Sequence, residues 1–178
     1  MKNWNLIVCH GLNGEIGKDG KLLWSIPEDM KRFKELTTGG IVIMGRKTWD
    51  SLPPKFRPLP NRKNIIVTKR GMSHLEDMMH VARGGSYIAT SKDEAISWVD
   101  SIHTQYPDMS VWVIGGSQIY EMFADDIRVH YLTIVAEERP DADTYFKGFD
   151  EYAAAAIEDW HEYDGVQYGF ITSIDSKK

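Results

Sequence analysis

The sequence predicts an α/β protein with three layers: a central, mostly parallel twisted sheet, helices on both of its faces, and an antiparallel C-terminal strand. Three observations lead there. Short unbroken apolar runs recur at 6–9, 41–44, 65–67 and 111–114, and a run without polar alternation is the pattern of a strand covered on both sides. Helix signals fall between these runs, as in parallel βαβ units. A closing hairpin supplies the antiparallel strand. The 178 residues are 42% hydrophobic, enough to fill the core of one domain spanning 1–178.

Composition removes several functional classes. A net charge of −5 argues against a nucleic-acid partner. No apolar run approaches a membrane span, and Met1-Lys2-Asn3-Trp4 does not begin a secretory leader, so no membrane partner is expected and the cytoplasm is the expected compartment. The single cysteine, Cys9, lies in the first apolar run. A buried thiol is ordinary there, and no intrachain disulfide can form.

Residues 4–9, which include Ile7, Val8 and Cys9, read as the first strand. Gly11-Leu-Asn-Gly14-Glu-Ile-Gly17-Lys-Asp-Gly20 follows; its spacing is not the dinucleotide fingerprint, and no helix opens directly after it. It is either a solvated connector or a mobile lid, and its course straight into Leu22 and Trp24 suits a lid. Pro27 fits the first position of a helix, which places Glu28 and Asp29 in the first turn. Asp29, Phe33 and Leu36 then share one face with Met30 beside them, while Glu28 lies about 100° further round, toward water. Acidic residues are common at helix N-termini because the dipole favours them. An acid on an apolar stripe, between Trp24 and Phe33, is costly to bury unless something pairs with it, and a flat, amidine-like heterocycle fits that description.

Gly39-Gly40 stops the helix, and Ile41 to Met44 form a buried strand. Gly45-Arg46-Lys47-Thr48 then opens a short helix, and glycine, two cations and a hydroxyl at that point suit a phosphate. Two neighbouring cations are also an ordinary solvated surface. Leu52 to Pro60 carry four of the seven prolines and read as an extended loop containing Phe56 and Leu59. Arg62, just before the strand 65–68, can present a planar fork to a carboxylate; Lys55, Arg57 and Lys63 are its rivals. Thr68-Lys69-Arg70 leaves that strand beside Arg46-Lys47, so both cationic pairs can converge on one sheet edge and hold a ribose 2′-phosphate. Residues 71–85 show no periodicity and read as a loop with one short strand. His74 and His80 there have no partner at metal-ligand spacing, so no metal is expected. Ser91-Lys92-Asp93-Glu94 is a capping box opening a helix 92–106 with Ala95, Ile96, Val99 and Ile102 inside. After the strand 111–114, Gly115-Gly116-Ser117-Gln118-Ile119-Tyr120 joins strand to helix, where glycines form a tight turn or admit a pyrophosphate. Residues 129–135, with Thr133, form another strand. Ala153 to Ile157 read as helix by propensity.

Five of these stretches, in this order, resemble motifs of dihydrofolate reductase: Leu22 to Phe33 around Trp24-Ser25-Ile26-Pro27-Glu28-Asp29, Gly45-Arg46-Lys47-Thr48, Pro60-Asn61-Arg62-Lys63-Asn64, Ile114-Gly115-Gly116-Ser117-Gln118-Ile119-Tyr120, and Asp143-Thr144-Tyr145-Phe146. The resemblance covers nearly the whole chain. It implies reduction of 7,8-dihydrofolate to tetrahydrofolate with NADPH, by hydride transfer to pterin C6 and protonation of N5. It also implies a monomer in one-carbon metabolism whose pocket admits antifolate inhibitors. Asp29 would be the catalytic carboxylate, oriented by a hydrogen bond from Thr133, with Trp24 holding a water and Tyr120 beside the nicotinamide. Substrate would meet Ile7, Val8, Cys9, Leu22, Asp29, Met30, Phe33, Phe56, Leu59, Arg62 and Ile114, with Arg62 on the glutamate tail. NADPH would meet Cys9, Ile16, Gly17, Leu22, Gly45, Arg46, Lys47, Thr48, Thr68, Lys69, Arg70, Ile114, Gly115, Gly116, Ser117, Gln118, Ile119, Tyr120 and Thr144, and the Gly115–Gly116 peptide would be cis.

The resemblance also places an edge strand at 153–163, paired with 166–174. We prefer that strand to the helix of propensity, because tertiary pairing overrides propensity. Two features depart from the family pattern: Leu23 stands where many members have proline, and Pro53 to Arg57 is longer than in compact bacterial members. Two rival readings remain. The related pyrimidine reductase of riboflavin synthesis would not need Arg62, and a non-catalytic nucleotide-binding domain would need none of Asp29, Thr133 and Trp24.

Overall fold

In the computed structural model, residues 3–69, 85–148 and 156–174 are described. The apolar runs become strands of one sheet: β1 (Trp4–His10), β4 (Ile41–Gly45), β5 (Lys63–Val67), β6 (Ser86–Ala89), β7 (Val111–Gly115), β8 (Ile127–Val135), β10 (His161–Tyr163) and β11 (Val166–Ile174). Their order is β10-β11-β8-β1-β7-β4-β5-β6. The ladder is parallel from β8 to β6; β11 runs antiparallel to β8, and β10 pairs antiparallel with β11 and so returns to the common direction.

Both faces are covered, which is why these strands lack polar alternation. Leu6, Val8, Ile41, Ile43, Ile65, Val67, Val111 and Val113 face one cluster with Ala95, Val99 and Ile102 of helix α3 (Lys92–Gln105) and Ile119 of α4 (Ser117–Met122). Ile7, Val42, Met44, Ile66 and Trp112 face the other, with Phe33 and Leu36 of α1 (Pro27–Thr37) and Trp49 of α2 (Arg46–Ser51). Each such aliphatic side chain taken from water contributes roughly 1.5–3 kcal/mol before the entropy of ordering is charged against it.

Helix ends follow the expected chemistry. Pro27 opens α1 with Glu28 and Asp29 in its first turn. Ser91 Oγ accepts from the Glu94 amide, while the Glu94 carboxylate turns to the amide and hydroxyl of Thr90. Only half of the capping box is therefore made as anticipated.

Four expectations change. The glycine-rich stretch is not an unstructured connector: β2 (Glu15–Lys18) and β3 (Lys21–Leu22) join β9 (Thr144–Tyr145) in a second, three-stranded sheet. Gly17 pairs with both Leu22 and Thr144, a long-range partnership that composition does not reveal. Strand β6 was not separately anticipated. The proline-rich loop contains a 3-10 turn at Pro54–Phe56 and a cis Arg57–Pro58 bond. Of the described part of the strand expected at 153–163, His161–Tyr163 pair, and Ala156 to Trp160 lie in no strand or α-helix. There the chain turns Ile157 into the core over Gly169, where its Cγ2 occupies the space a Cβ on Gly169 would need. Residues 70–84, including Arg70, His74 and His80, and residues 149–155 lie outside the described residues. Among the described residues no helix is long and apolar enough to cross a membrane.

Candidate active site

Asp29 sits at the start of α1 against the C-terminal halves of β1 and β8. Thr133 is fully buried on β8 opposite Cys9 of β1, and its Oγ1 donates to Asp29 Oδ1 at 2.6 Å. Burial pushes the Asp29 carboxyl above its ordinary range; the Thr133 hydrogen bond and the nearby Arg32 charge pull it partly back. The same burial, with the Asp29 charge second, raises the Cys9 thiol, which thus stays neutral near Asp29.

The Trp24 indole N–H was expected at a water. It instead donates to Glu137 Oε2 at 2.9 Å. Gly11 is what allows this closeness, since a Cβ there would lie 2.8 Å from both Trp24 Cη2 and the Glu137 carbonyl, and 2.6 Å from Glu15 Oε2. Glu15 is buried beneath the turn. Its Oε2 accepts from the Asn13 amide, and its Oε1 from the Asn13 side chain and the Arg139 amide. Burial alone would raise its pKa, but these donors hold it below the usual carboxylate value.

The remaining wall residues divide. Ile7 and Phe33 share the α1 face of the sheet, with Ile114 packed against the same cluster, whereas Val8 points to the opposite cluster and offers this pocket only backbone. Leu22 and Met30 are exposed apolar side chains, at 66% and 47%, and Phe56 is exposed too. Leu59 is buried under α2 with Trp49 and Ile66. Arg62 is buried: Nη1 donates to Thr37 Oγ1 at 2.9 Å, Nε to the Pro60 carbonyl at 3.0 Å, and the guanidinium lies over Phe33. Among the described residues no carboxylate pairs with it, and burial alone pulls its pKa down.

Across the sheet edge, the ends of β5, β4 and β7 stand side by side, with Gly45 opposite Val67 and Met44 opposite Gly115. This places Gly45, Arg46, Lys47 and Thr48, Thr68 and Lys69, and Gly115 to Tyr120 at one rim. The Gly115–Gly116 peptide is cis. Gly115 has φ +102, and a Cβ there would lie 2.8 Å from the Tyr120 hydroxyl and 2.9 Å from its ring. Gly116 faces Thr48 Oγ1, 3.6 Å from where its Cβ would be. The Tyr120 hydroxyl donates to the Ile7 carbonyl at 2.9 Å, and complete burial pushes its pKa far up, so it is a fixed neutral strut. Arg46 is drawn along its helix to Asp50, 3.1 Å away; Lys47 and Lys69 are exposed. Ile16 is buried, and Gly17 and Thr144 pair in the small sheet that flanks the site.

The dihydrofolate reductase family model matches residues 3–173. The chain belongs to the dihydrofolate reductase family.

Relatives agree with the family model. A dihydrofolate reductase of Mycobacterium leprae is 43% identical over 117 residues, which are 66% of this chain and 62% of that protein. The chain thus spans about three fifths of the length of the mycobacterial relatives it matches. The dihydrofolate reductase of Gallus gallus is 31% identical over 96% of this chain and 95% of its own. A bifunctional dihydrofolate reductase-thymidylate synthase of Daucus carota is 35% identical over 98% of this chain and 34% of its own.

Within this dihydrofolate reductase-family chain, sequence reasoning missed Glu137, Glu15 and Arg32. Glu137 and Glu15 act across more than a hundred residues, so no local spacing announces them. Arg32 had a signal: it lies one turn beyond Asp29 on α1. Glu28 is exposed, as expected, and also makes contacts the sequence did not announce. It accepts from the Tyr168 hydroxyl at 2.6 Å and lies 3.5 Å from His161 Nδ1, so it anchors α1 to the antiparallel hairpin.

Proposed function

We propose that this protein reduces 7,8-dihydrofolate to tetrahydrofolate with NADPH. The observation that carries the proposal is a half-buried carboxylate at a helix N-terminus, fixed by one short hydrogen bond from Thr133, on the helix whose Phe33 packs with Ile7 in an apolar cluster. Such an acid binds a planar amidine-like edge well: two acceptor oxygens match the 2-amino and N3 donors of a pterin, and low polarity strengthens the pairing. Phe33 and Ile7 supply flat apolar walls, and the buried Arg62 fork suits the substrate's glutamate carboxylate.

The cofactor rim fits NADPH in chemistry. Gly116 leaves backbone exposed between two helix starts, Thr48 offers a hydroxyl, and Arg46, Lys47 and Lys69 concentrate positive charge where a 2′-phosphate would lie. When bound, NADPH supplies the hydride. Asp29 holds the pterin and favours the proton at N5, Thr133 fixes the orientation of the carboxylate, and Trp24, pinned by Glu137, closes the water-facing side. Tyr120 braces β1 against the Gly115–Gly116 turn. A lone cysteine supports a cytoplasmic setting.

The test is cofactor oxidation followed by nicotinamide absorbance, with and without dihydrofolate. Oxidation that requires dihydrofolate is expected. A flavin-pathway pyrimidine substrate consumed in its place would overturn the assignment.

A further inference from the structure

Arg32 lies on α1, one turn beyond Asp29. Its guanidinium stands over the Phe170 ring at 4.7 Å and the Tyr131 ring at 5.7 Å. Phe170 of β11 is the cross-strand partner of Thr133, and Tyr131 precedes Thr133 by two residues on the same face of β8. The cation is therefore stacked on the two rings that flank the residue holding Asp29. Its Nη1 is buried without a hydrogen-bond partner. An arginine that leaves a donor unpaired in an apolar layer is poorly explained by hydrogen bonding.

We infer that Arg32 is a positioning residue whose stacked charge keeps Asp29 ionised despite its burial. This rests on the proposed reduction for its catalytic consequence, though not for its electrostatic one. Other groups near Asp29 do not supply that charge. Cys9 of β1, Tyr120 of α4 and Tyr168 of β11 all feel Asp29, but burial raises each of them, Tyr168 to about 12, and all stay neutral. Tyr131 of β8 lies beneath Arg32. Glu28, the neighbour on α1, accepts from Tyr168 and faces His161 of β10. Arg32 is the cation among the described residues that acts on Asp29.

The experiment compares wild type, Arg32→Met, Arg32→Lys and Phe170→Leu. The Asp29 carboxyl is titrated by carbon-13 NMR, with Asp29→Asn identifying its resonance, and single-turnover hydride transfer is measured against pH. Arg32→Met should raise the Asp29 midpoint by about one pH unit, the size expected for losing one opposite charge nearby. The midpoint of the hydride-transfer profile should move the same way. Arg32→Lys should restore most of the shift. Phe170→Leu, which keeps the cation but removes its platform, should give a smaller upward shift. An unmoved carboxyl midpoint in folded Arg32→Met overturns the inference, as does Arg32→Lys behaving like Arg32→Met. Wild type that titrates as expected but reduces no dihydrofolate would refute the proposed reaction while leaving the role of Arg32 standing.

Discussion

The Asp29 seat and the cationic rim solve opposite problems with charge. At the seat, one carboxylate is half-withdrawn from water and held near a threonine, a stacked guanidinium and neutral neighbours. At the rim, Lys47 and Lys69 stay in solvent, and Arg46 shares its charge with Asp50. Buried charge is held by few, strong, directional partners, so single substitutions there should be severe. Exposed charge is screened and shared, so effects should be small and sensitive to salt.

The largest effect belongs to Asp29→Asn. Asparagine keeps the acceptor for Thr133, so the fold and NADPH binding should survive. Hydride transfer at neutral pH should fall by about 10²–10³-fold, within the range for loss of a proton-handling group. Part of the rate should return at low pH, where solvent protonates the pterin. Stability should move the other way. The folded-state pKa of Asp29 lies above 3.8, so between the unfolded and folded values the folded protein holds a proton that the unfolded chain has released, and above both the acid is ionised in either state. The ionised acid therefore opposes folding as pH rises through that window. Asp29→Asn should melt about 2–4 °C higher than wild type at neutral pH. Near-wild-type hydride transfer would reduce Asp29 to a helix-terminal charge.

Arg62→Lys comes next, because its guanidinium is also buried. An ammonium cannot reproduce the planar fork, and losing a charge-assisted pair costs roughly 1.5–3 kcal/mol, a rise in Kd for dihydrofolate of about ten- to hundred-fold. A pterin substrate lacking the glutamate should show no such loss. If it weakens equally, Arg62 serves the fold through Thr37 and Phe33 rather than the tail.

Glu15→Gln tests the seat's support rather than its chemistry. Both carboxylate oxygens accept from N–H donors, so a glutamine amide must turn its own N–H₂ toward one of them, costing roughly 1–2 kcal/mol. The folded pKa of Glu15 lies below 4.5, so its stabilising effect is present above that pH and is lost as pH falls through the folded value. The gap in denaturation midpoint between wild type and Glu15→Gln should be full at pH 7 and close in acid. A gap independent of pH would mean that shape, not charge, holds the turn.

These contrasts also show what the sequence disclosed. Apolar runs covered on both faces, Pro27 at a helix start and the stripe Asp29-Phe33-Leu36 are local patterns. They led correctly to β1, β4, β5, β7, α1 and the mostly parallel sheet. The small sheet of β2, β3 and β9 depends on Gly17 meeting Thr144, and the Trp24–Glu137 bond joins residues far apart in the chain. Neither has a spacing to read. At the C-terminal edge, Ile157 packs against Gly169 instead of joining a strand, a tertiary contact that residue type alone does not announce.

The smallest effect should come from the rim. Arg46→Ala combined with Lys69→Ala removes two charges near the ends of adjacent parallel strands, where Gly45 pairs with Val67. Arg46 already interacts with Asp50 at the helix surface, so part of its charge is spent before any phosphate arrives. Exposed pairs of this kind contribute roughly 0.2–1 kcal/mol each, so KM for NADPH should rise about three- to tenfold, while kcat hardly changes. NADH lacks the 2′-phosphate, and its KM should move by less than about twofold. Raising ionic strength should narrow the NADPH difference between wild type and the double variant, since salt screens only what the solvent reaches. It should leave the Asp29→Asn defect intact. Equal losses for both cofactors, or a loss that salt does not touch, would place these cations in the fold of the rim rather than at a phosphate, and would remove the contrast between its charge and that of the seat.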